Sequence, residues 1–413
     1  MSALATAEDE AGAPTVVVGG GGGGEARVPV GILGGTGLVG RVLARYLTKH
    51  PYFSCGPIVG SARSAGTSFE QIWNEKEEAL SAHYGEELWE ADHAFPEALK
   101  GIIVSSLDEL LDSDCKYVIS AIAPKLGFLE DKLIANGCTV ASISPYKRQE
   151  NILCVLEANH EALKASLEAK LQALKQIETG LPPGVMIKSP NCVCCGSTVI
   201  LRALSDAFKG LGEVSVTTMQ SLSGRGDAMY PHDLVVGNVY PLGGAAEPTE
   251  MLIGEELKSV LQDRVGNISV KAYRVSVQRG HLVDIRVKTK RAVNDVEEVY
   301  SALEAFNPLE TYNLPTVPLS PIYCVREGGC PRPRTHFAGE LGDGLSITVG
   351  NVKVNDGVFD ITLSLVVDNL AKGAYAAAVQ LLEFYHHVVR EGEEGALGRT
   401  LAEGAGGESG AKS

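Results

Sequence analysis

Short apolar runs alternate with helical stretches along residues 28–190. The runs VPVGIL (28–33), GPIVGS (56–61), CKYVISAI (115–122) and CTVASIS (138–144) predict strands. RVLARYLTKH (41–50), LEDKLIANG (129–137) and the Ala-, Leu-, Lys- and Glu-rich stretch 158–178 predict helices, the last ended by LPPG (181–184). That rhythm points to a parallel sheet covered by helices. The period then changes. Residues 213–220, 268–277, 282–289, 345–354 and 357–367 alternate apolar with polar positions. Such alternation is the mark of an antiparallel sheet with one covered face. Stretches 202–211, 249–264 and 296–306 predict its covering helices, and 371–390 predicts a final helix rich in small residues at its start. The expected fold class is therefore an α/β domain over 28–190, an α+β domain with an antiparallel or mixed sheet over 191–368, and a terminal helix over 369–390.

Composition narrows the possible roles. The 413 residues suffice for two ordinary domains. Acidic residues outnumber basic ones by 51 to 36, a net charge of −15. A phosphate-backbone binder carries a basic excess, so nucleic acid is not an expected partner. No run approaches the roughly 18–20 apolar residues that span a bilayer, so no membrane partner is expected either. Nine cysteines, an odd number, without a secretory signal, suggest free thiols in a reducing compartment. Residues 1–27, with six consecutive glycines, and the tail 391–413 read as disordered. The first of these is too acidic for a transit peptide and the second lacks a peroxisomal ending. A cytoplasmic location is expected, with an organelle left open.

Gly31-Ile-Leu-Gly34-Gly35-Thr36-Gly37-Leu38-Val39-Gly40 follows the first strand and opens a helix. In that context glycines allow backbone N–H groups to approach a pyrophosphate at the helix N-terminus. Gly34, Thr36, Gly37, Leu38 and Val39 are the cofactor-binding candidates. An NAD site needs an acid about 20 residues on, at the ribose 2′-hydroxyl. No acid occurs between Arg41 and Phe69, whereas Arg63 and Ser64 end the second strand. An arginine with hydroxyl neighbours suits a 2′-phosphate, so NADP is the expected cofactor.

Ser189-Pro190-Asn191-Cys192 precedes a helix expected to start near Ser197. The positive end of a helix favours a thiolate, which can attack an acyl carbon. Composition does not choose among Cys192, Cys194 and Cys195. The spacing C-x-C-C lacks the second ligand pair of a zinc site, so no metal is expected. His281 follows Gly280 between two predicted strands, where it could reach a nucleophile on another element.

These segments resemble the aspartate-β-semialdehyde dehydrogenases, nearest their fungal and archaeal branch. The likeness runs from about Val28 to Tyr385 through GGTGLVG, SARSAG, VISAIAP, SPNC, TMQSLSG, RVSVQRGH, FNPLETYNLPT, CPRPR, GLSITVGNV and DNLAKGA. It implies a Rossmann domain, a catalytic and dimerisation domain, and a last helix that returns to the first domain. It also implies reduction of β-aspartyl phosphate with NADPH on the route to lysine, threonine and methionine, in a homodimer or homotetramer. Matched by position, Cys192 is the nucleophile and His281 the general acid/base. Gln220 orients the acyl group, Arg274 clamps the substrate α-carboxylate, and Asn191 contacts substrate. Ser223 and Gly224 lie by the nicotinamide, Asn369 contacts the cofactor, and Ser120 and Ala121 line its groove.

The chain departs from the family's pattern in three places. Val193 and Cys194 follow the cysteine where Ser and Thr are usual. The family's E-E-E-K run becomes Glu247-Pro248-Thr249-Glu250-Met251, which leaves Glu247 or Glu250 as the carboxylate for the substrate amine and no lysine for phosphate. Lys147 or Arg148 is the remaining basic candidate, and Arg225, in the altered loop SGRGDAMYP, is a further cation. The lost lysine raises two alternatives: another acyl donor such as a CoA thioester, or an NADP-binding protein without catalysis.

Overall fold

A computed structural model describes residues 27–175, 184–244, 247–326, 330–336 and 344–389. The two expected disordered ends, the LPPG stop and the last residues of the helix before it lie outside these described residues, apart from Arg27 and Gly184.

Five parallel strands form the first sheet: β1 (Val28–Leu33), β2 (Phe53–Val59), β3 (Tyr117–Ser120), β4 (Thr139–Ser142) and β5 (Met186–Lys188), in the order β2-β1-β3-β4-β5. The second sheet has seven: β6 (Leu211–Gln220), β7 (Val239–Pro241), β8 (Val265–Val275), β9 (His281–Thr289), β10 (Ile322–Val325), β11 (Ile347–Asp356) and β12 (Phe359–Val367). Their order is β10-β11-β12-β9-β6-β8-β7. This sheet is mixed. β6 and β8 run parallel because a crossover through the helix Thr249–Leu261 joins them, and β10 and β11 are also parallel. Period-2 alternation reports a half-covered face, not strand direction.

The helices Cys192–Ala207, Thr249–Leu261 and Val296–Glu304 bury their apolar stripes on one face of the second sheet. The helix Phe69–Tyr84 was not among the predicted elements. Its acidic and basic residues mask a stripe of Phe69, Ile72, Trp73, Leu80 and Tyr84, and Gly85 ends it at φ 85°. The final helix, 376–389, packs its small and apolar side chains into the core of the first domain. There Glu383 accepts from the Thr316 N–H at 3.1 Å and lies 2.7 Å from His50 Nε2. A separate apolar cluster joins the domains, with Leu38, Leu80, Tyr84 and Trp89 against Leu222, Tyr230, Val235 and Leu242. Among the described residues no helix is long and apolar enough to cross a membrane.

The segment leading to Cys192 is anchored by a buried charge pair. Lys188, at the end of β5, donates to Glu130 at 2.6 Å and to Ser142 Oγ at 2.9 Å, with both charged side chains fully enclosed. Removing one member strands the other charge in the interior, which costs about 3–5 kcal/mol. Glu130→Gln is expected to lower the unfolding free energy by that order, measured by denaturant titration. The apolar pair Glu130→Leu with Lys188→Met is expected to recover most of it; equal losses in the two proteins would contradict this anchoring role.

Candidate active site

Strand register assembles the site. Gln220 ends β6 opposite Arg274 of β8, and Met219 pairs with Leu282, which sets His281 beside Gln220 on the other flank. Val367 of β12 pairs with His281 in turn. Arg274, Gln220 and His281 thus form one row across three adjacent strands, each buried to within a few per cent.

Cys192 arrives from the side. The helix begins at Cys192 rather than near Ser197, because the Asn191 side chain caps it by accepting from the Val193 N–H at 3.0 Å. The sulfur lies 3.1 Å from His281 Nε2. A Cβ on Gly373 would stand 2.8 Å from Cys192 Cβ, and one on Gly224 would stand 2.8 Å from an Arg274 Nη and 3.1 Å from His281 Cε1. Close approach at both positions requires glycine. Cys194 and Cys195 point into the core.

Burial pushes the Cys192 thiol up from its ordinary value, against the pull of the Arg274 and Arg148 charges and the Val193 N–H. This differs from the depressed value expected from the helix end alone. Burial, reinforced by Arg274, holds His281 well below its ordinary value. Both shifts favour the uncharged forms, a thiol and an imidazole.

Several donors near the sulfur have no partner. Arg274 gives Nη1 to the Ser221 carbonyl at 2.6 Å and Nη2 to the Tyr230 hydroxyl at 3.2 Å, but its Nε is unsatisfied. Gln220 Nε2 and Arg148 Nε are buried and unsatisfied too. Buried polar atoms are nearly always paired, so these mark a place for a polar ligand.

The basic and acidic candidates separate. Lys147 turns outward to Asp131 at 2.9 Å, whereas Arg148 is buried and pairs with Glu256 at 2.9 Å. Glu256 also accepts the Asn191 N–H. Of these two basic candidates, Arg148 is the one tied through Glu256 to the residue before Cys192. Glu250 turns to Lys271 at 3.2 Å and to the Ala272 N–H, while Glu247 accepts from the Tyr230 hydroxyl that also meets Arg274. Of the two carboxylate candidates, Glu247 is the one linked to Arg274 through Tyr230. Arg225 stacks on Tyr230, 4.2 Å from the ring centroid, and lies 3.5 Å from Glu247.

Asn369 is buried. Its Oδ1 accepts from the Gly280 N–H at 2.8 Å and from the Ser221 hydroxyl at 3.0 Å, and its Nδ2 donates to Ser223 Oγ at 2.9 Å. Its amide braces the histidine turn. Glu256, Tyr230, Gly373 and Ser221 were not among the expected site residues. Glu256 had a readable sign: it interrupts the stripe Ile253, Leu257, Val260 at helical spacing.

The glycine loop fits a dinucleotide. Gly34 has φ 84°, and a Cβ there would stand 3.0 Å from the Ala121 carbonyl, so the loop lies against Ser120 and Ala121. The helix Leu38–Lys49 has no side-chain cap and no acid in its first turn. Its leading N–H groups, those of Leu38 and Val39 among them, have no partner within the helix. The Leu38 and Val39 side chains pack inward. Ser120 Oγ is buried and unsatisfied beside the loop. Arg63 is exposed on the turn after β2, and the Ser64 hydroxyl donates to the Ser61 carbonyl at 3.0 Å. Beneath the loop, Arg41 donates to the Thr36 carbonyl at 3.0 Å and pairs with Glu77 at 2.7 Å and Asp227 at 3.3 Å. Asp227 belongs to the loop that carries Arg225 and Tyr230, so one buried arginine ties the glycine loop to the substrate side.

Comparison with known proteins agrees with this arrangement. Residues 29–166 match the family described as semialdehyde dehydrogenase, NAD binding domain, and residues 201–372 match semialdehyde dehydrogenase, dimerisation domain. An aspartate-semialdehyde dehydrogenase of Archaeoglobus fulgidus is 30% identical over 363 residues, covering 86% of this chain and 96% of that protein. A malonyl CoA reductase (NADP) of Metallosphaera sedula is 26% identical, covering 85% of this chain and 95% of that one. The crystal structure of aspartate semialdehyde dehydrogenase with NADP from Candida albicans shares the fold, with a TM-score of 0.73 at 23% identity over 88% of this chain and 99% of that one. With two domains matched in order and a 30% identical relative covered almost end to end, the chain belongs to the aspartate-semialdehyde dehydrogenase family.

Proposed function

We propose that the protein is an NADP-dependent aspartate-semialdehyde dehydrogenase that interconverts β-aspartyl phosphate and aspartate β-semialdehyde through a thioester on Cys192. The observation that carries this reading is the Cys192 sulfur 3.1 Å from His281 Nε2, against a row formed by Gln220 and Arg274. Nucleophile and partner at hydrogen-bond distance are the mark of covalent acyl transfer.

Each side chain then has a task. Arg274 faces the substrate α-carboxylate with a planar donor set. Glu247, held through Tyr230, meets the α-amino group. Arg148, fixed by Glu256, is the cation nearest to the missing lysine's task of binding phosphate. Gln220 donates its free N–H to the acyl oxygen. When bound, NADP would supply hydride chemistry at the acyl carbon, and the glycine loop, the helix start at Leu38 and Ser120 would hold it, with Arg63 toward the 2′-phosphate. Cys192 sulfur attacks the acyl carbon as phosphate leaves, and is expelled again when the aldehyde forms. The match of residues 201–372 to a dimerisation domain supports a homodimer, alone or paired into a homotetramer. This chemistry serves the branch that leads to lysine, threonine and methionine.

One observation favours a second reading. No lysine occupies Thr249 or Met251, and a CoA thioester would need none. Purified protein with NADP+ and aspartate semialdehyde is expected to form NADPH continuously only when phosphate or arsenate is added, and no more than one equivalent per subunit without them. Turnover with CoA and none with phosphate would favour the other acyl donor. In the same assay Arg63→Ala is expected to raise the KM for NADP+ about 10-fold or more and to spare NAD+. A charge-assisted contact of about 1.5–3 kcal/mol corresponds to that change. Equal effects on both cofactors would remove Arg63 from the 2′-phosphate.

The three neighbouring cysteines give a second prediction. Cys192→Ala is expected to abolish turnover while leaving NADP affinity and circular dichroism unchanged; Cys194→Ala is expected to keep most activity. The reverse ranking would move the nucleophile.

A further inference from the structure

We propose that His83 and Tyr84, the last residues of the helix Phe69–Tyr84, are positioning residues for the amino-acid end of the substrate: they hold Tyr230, whose hydroxyl orients Arg274 and Glu247. The inference rests on the reading of Arg274 and Glu247 as substrate contacts and deepens it. None of the segments that carry the family resemblance lies between Gly66 and Val118, so neither residue is reached by it.

Tyr230 belongs to the altered loop SGRGDAMYP. Its hydroxyl accepts from Arg274 Nη2 at 3.2 Å and donates to Glu247, and its ring centroid lies 5.1 Å from Arg274 Cζ. Burial pushes the phenol up from its ordinary value, so the hydroxyl keeps the proton it gives to Glu247. Arg274 gives its other terminal nitrogen, Nη1, to the Ser221 carbonyl at 2.6 Å. Ser221 and Tyr230 together therefore set the plane of the guanidinium, and with it the direction of the free Nε. A turn of Tyr230 would release Arg274 and Glu247 at once.

Both backbone polar groups of Tyr230 are taken by one helix end of the other domain. The Tyr230 N–H donates to the Tyr84 hydroxyl at 3.1 Å, and the Tyr230 carbonyl accepts from His83 Nε2 at 2.7 Å. A carbonyl only accepts, so this nitrogen carries the ring proton. Tyr84 is itself fixed. Gly85 ends the helix at φ 85°, the Trp89 N–H returns to the Gly85 carbonyl at 2.9 Å, and the Trp89 ring stacks on Tyr84 with centroids 5.6 Å apart. All three aromatic side chains are buried. Beyond Trp89, the Gln278 side chain donates to the Glu90 carbonyl at 3.0 Å and accepts the Glu90 N–H at 3.4 Å. Asp227, three residues before Tyr230, is tied to the same helix through Lys76 at 3.6 Å.

The test has two arms, both on the full chain. In the first, amide hydrogen–deuterium exchange without ligands compares wild type with Tyr84→Phe, which removes one oxygen and keeps the ring. The Tyr230 amide is expected to exchange about 10-fold faster in the variant, with the amides of the central strands unchanged. In the second, steady-state oxidation of aspartate semialdehyde is expected to show its KM raised about 5-fold in Tyr84→Phe and in His83→Ala, with the KM for NADP+ within about 2-fold of wild type. His83→Gln, which keeps a donor, is expected to recover most of the loss. In a Tyr230→Phe background, where no hydroxyl is left to position, Tyr84→Phe is expected to change the KM for aspartate semialdehyde less than about 2-fold. Unchanged exchange at Tyr230, both KM values rising together, or an equal effect of Tyr84→Phe with and without the Tyr230 hydroxyl would each overturn the proposal. Exchange does not depend on turnover: absence of turnover with aspartate semialdehyde would sink the functional reading, and unchanged exchange would sink the positioning.

Discussion

The pairing of β6 with β8 on one side and β9 on the other is the constraint on which the rest depends. It sets Arg274, Gln220 and His281 in one row at a single end of the sheet. A slip of one residue in either ladder would send these side chains to the opposite face. The start of the helix Cys192–Ala207 is pressed onto that row from the other side. Gly196 allows the helix to approach Val367, and Gly373 allows the last segment to approach Cys192. Sheet register and helix contact together place the sulfur and the imidazole at hydrogen-bond distance.

Charge is arranged around that contact in ion pairs, each with at least one buried partner. Arg148 with Glu256 lies on one side of Asn191, and Arg279 with Asp368 lies under the turn before His281 at 2.6 Å. Buried pairs of this kind contribute little net stability, because desolvation offsets their attraction. Their effect here is to fix positions. Each holds a segment adjoining Cys192 or His281, and Arg41 joins the glycine loop to Asp227 in the same manner. The glycine loop and the loop that carries Tyr230 thus share one buried arginine.

The two layers of the fold were legible because each writes its own period into the chain. The glycine loop was legible because strand, glycines and helix follow in order. Strand direction was not, since alternation is the same in parallel and antiparallel neighbours, and β6 and β8 proved parallel. Among site residues, Cys192, His281, Gln220 and Arg274 were named from the resemblance, and three-dimensional neighbours explain what it left open. Lys147 and Arg148 are adjacent in sequence, but only the burial of one and the Asp131 partner of the other separate them. Glu247 and Glu250 divide the same way, one toward Tyr230 and one toward Lys271.

The central claim is a covalent bond between substrate and Cys192. Intact-protein and peptide mass spectrometry, after mixing with aspartate semialdehyde and NADP+ in the absence of phosphate and quenching in acid, tests it most directly. The account predicts an added aspartyl group on the peptide containing Cys192, lost when phosphate is supplied before the quench. No adduct while NADPH is formed, or an adduct that persists in Cys192→Ala, would contradict it.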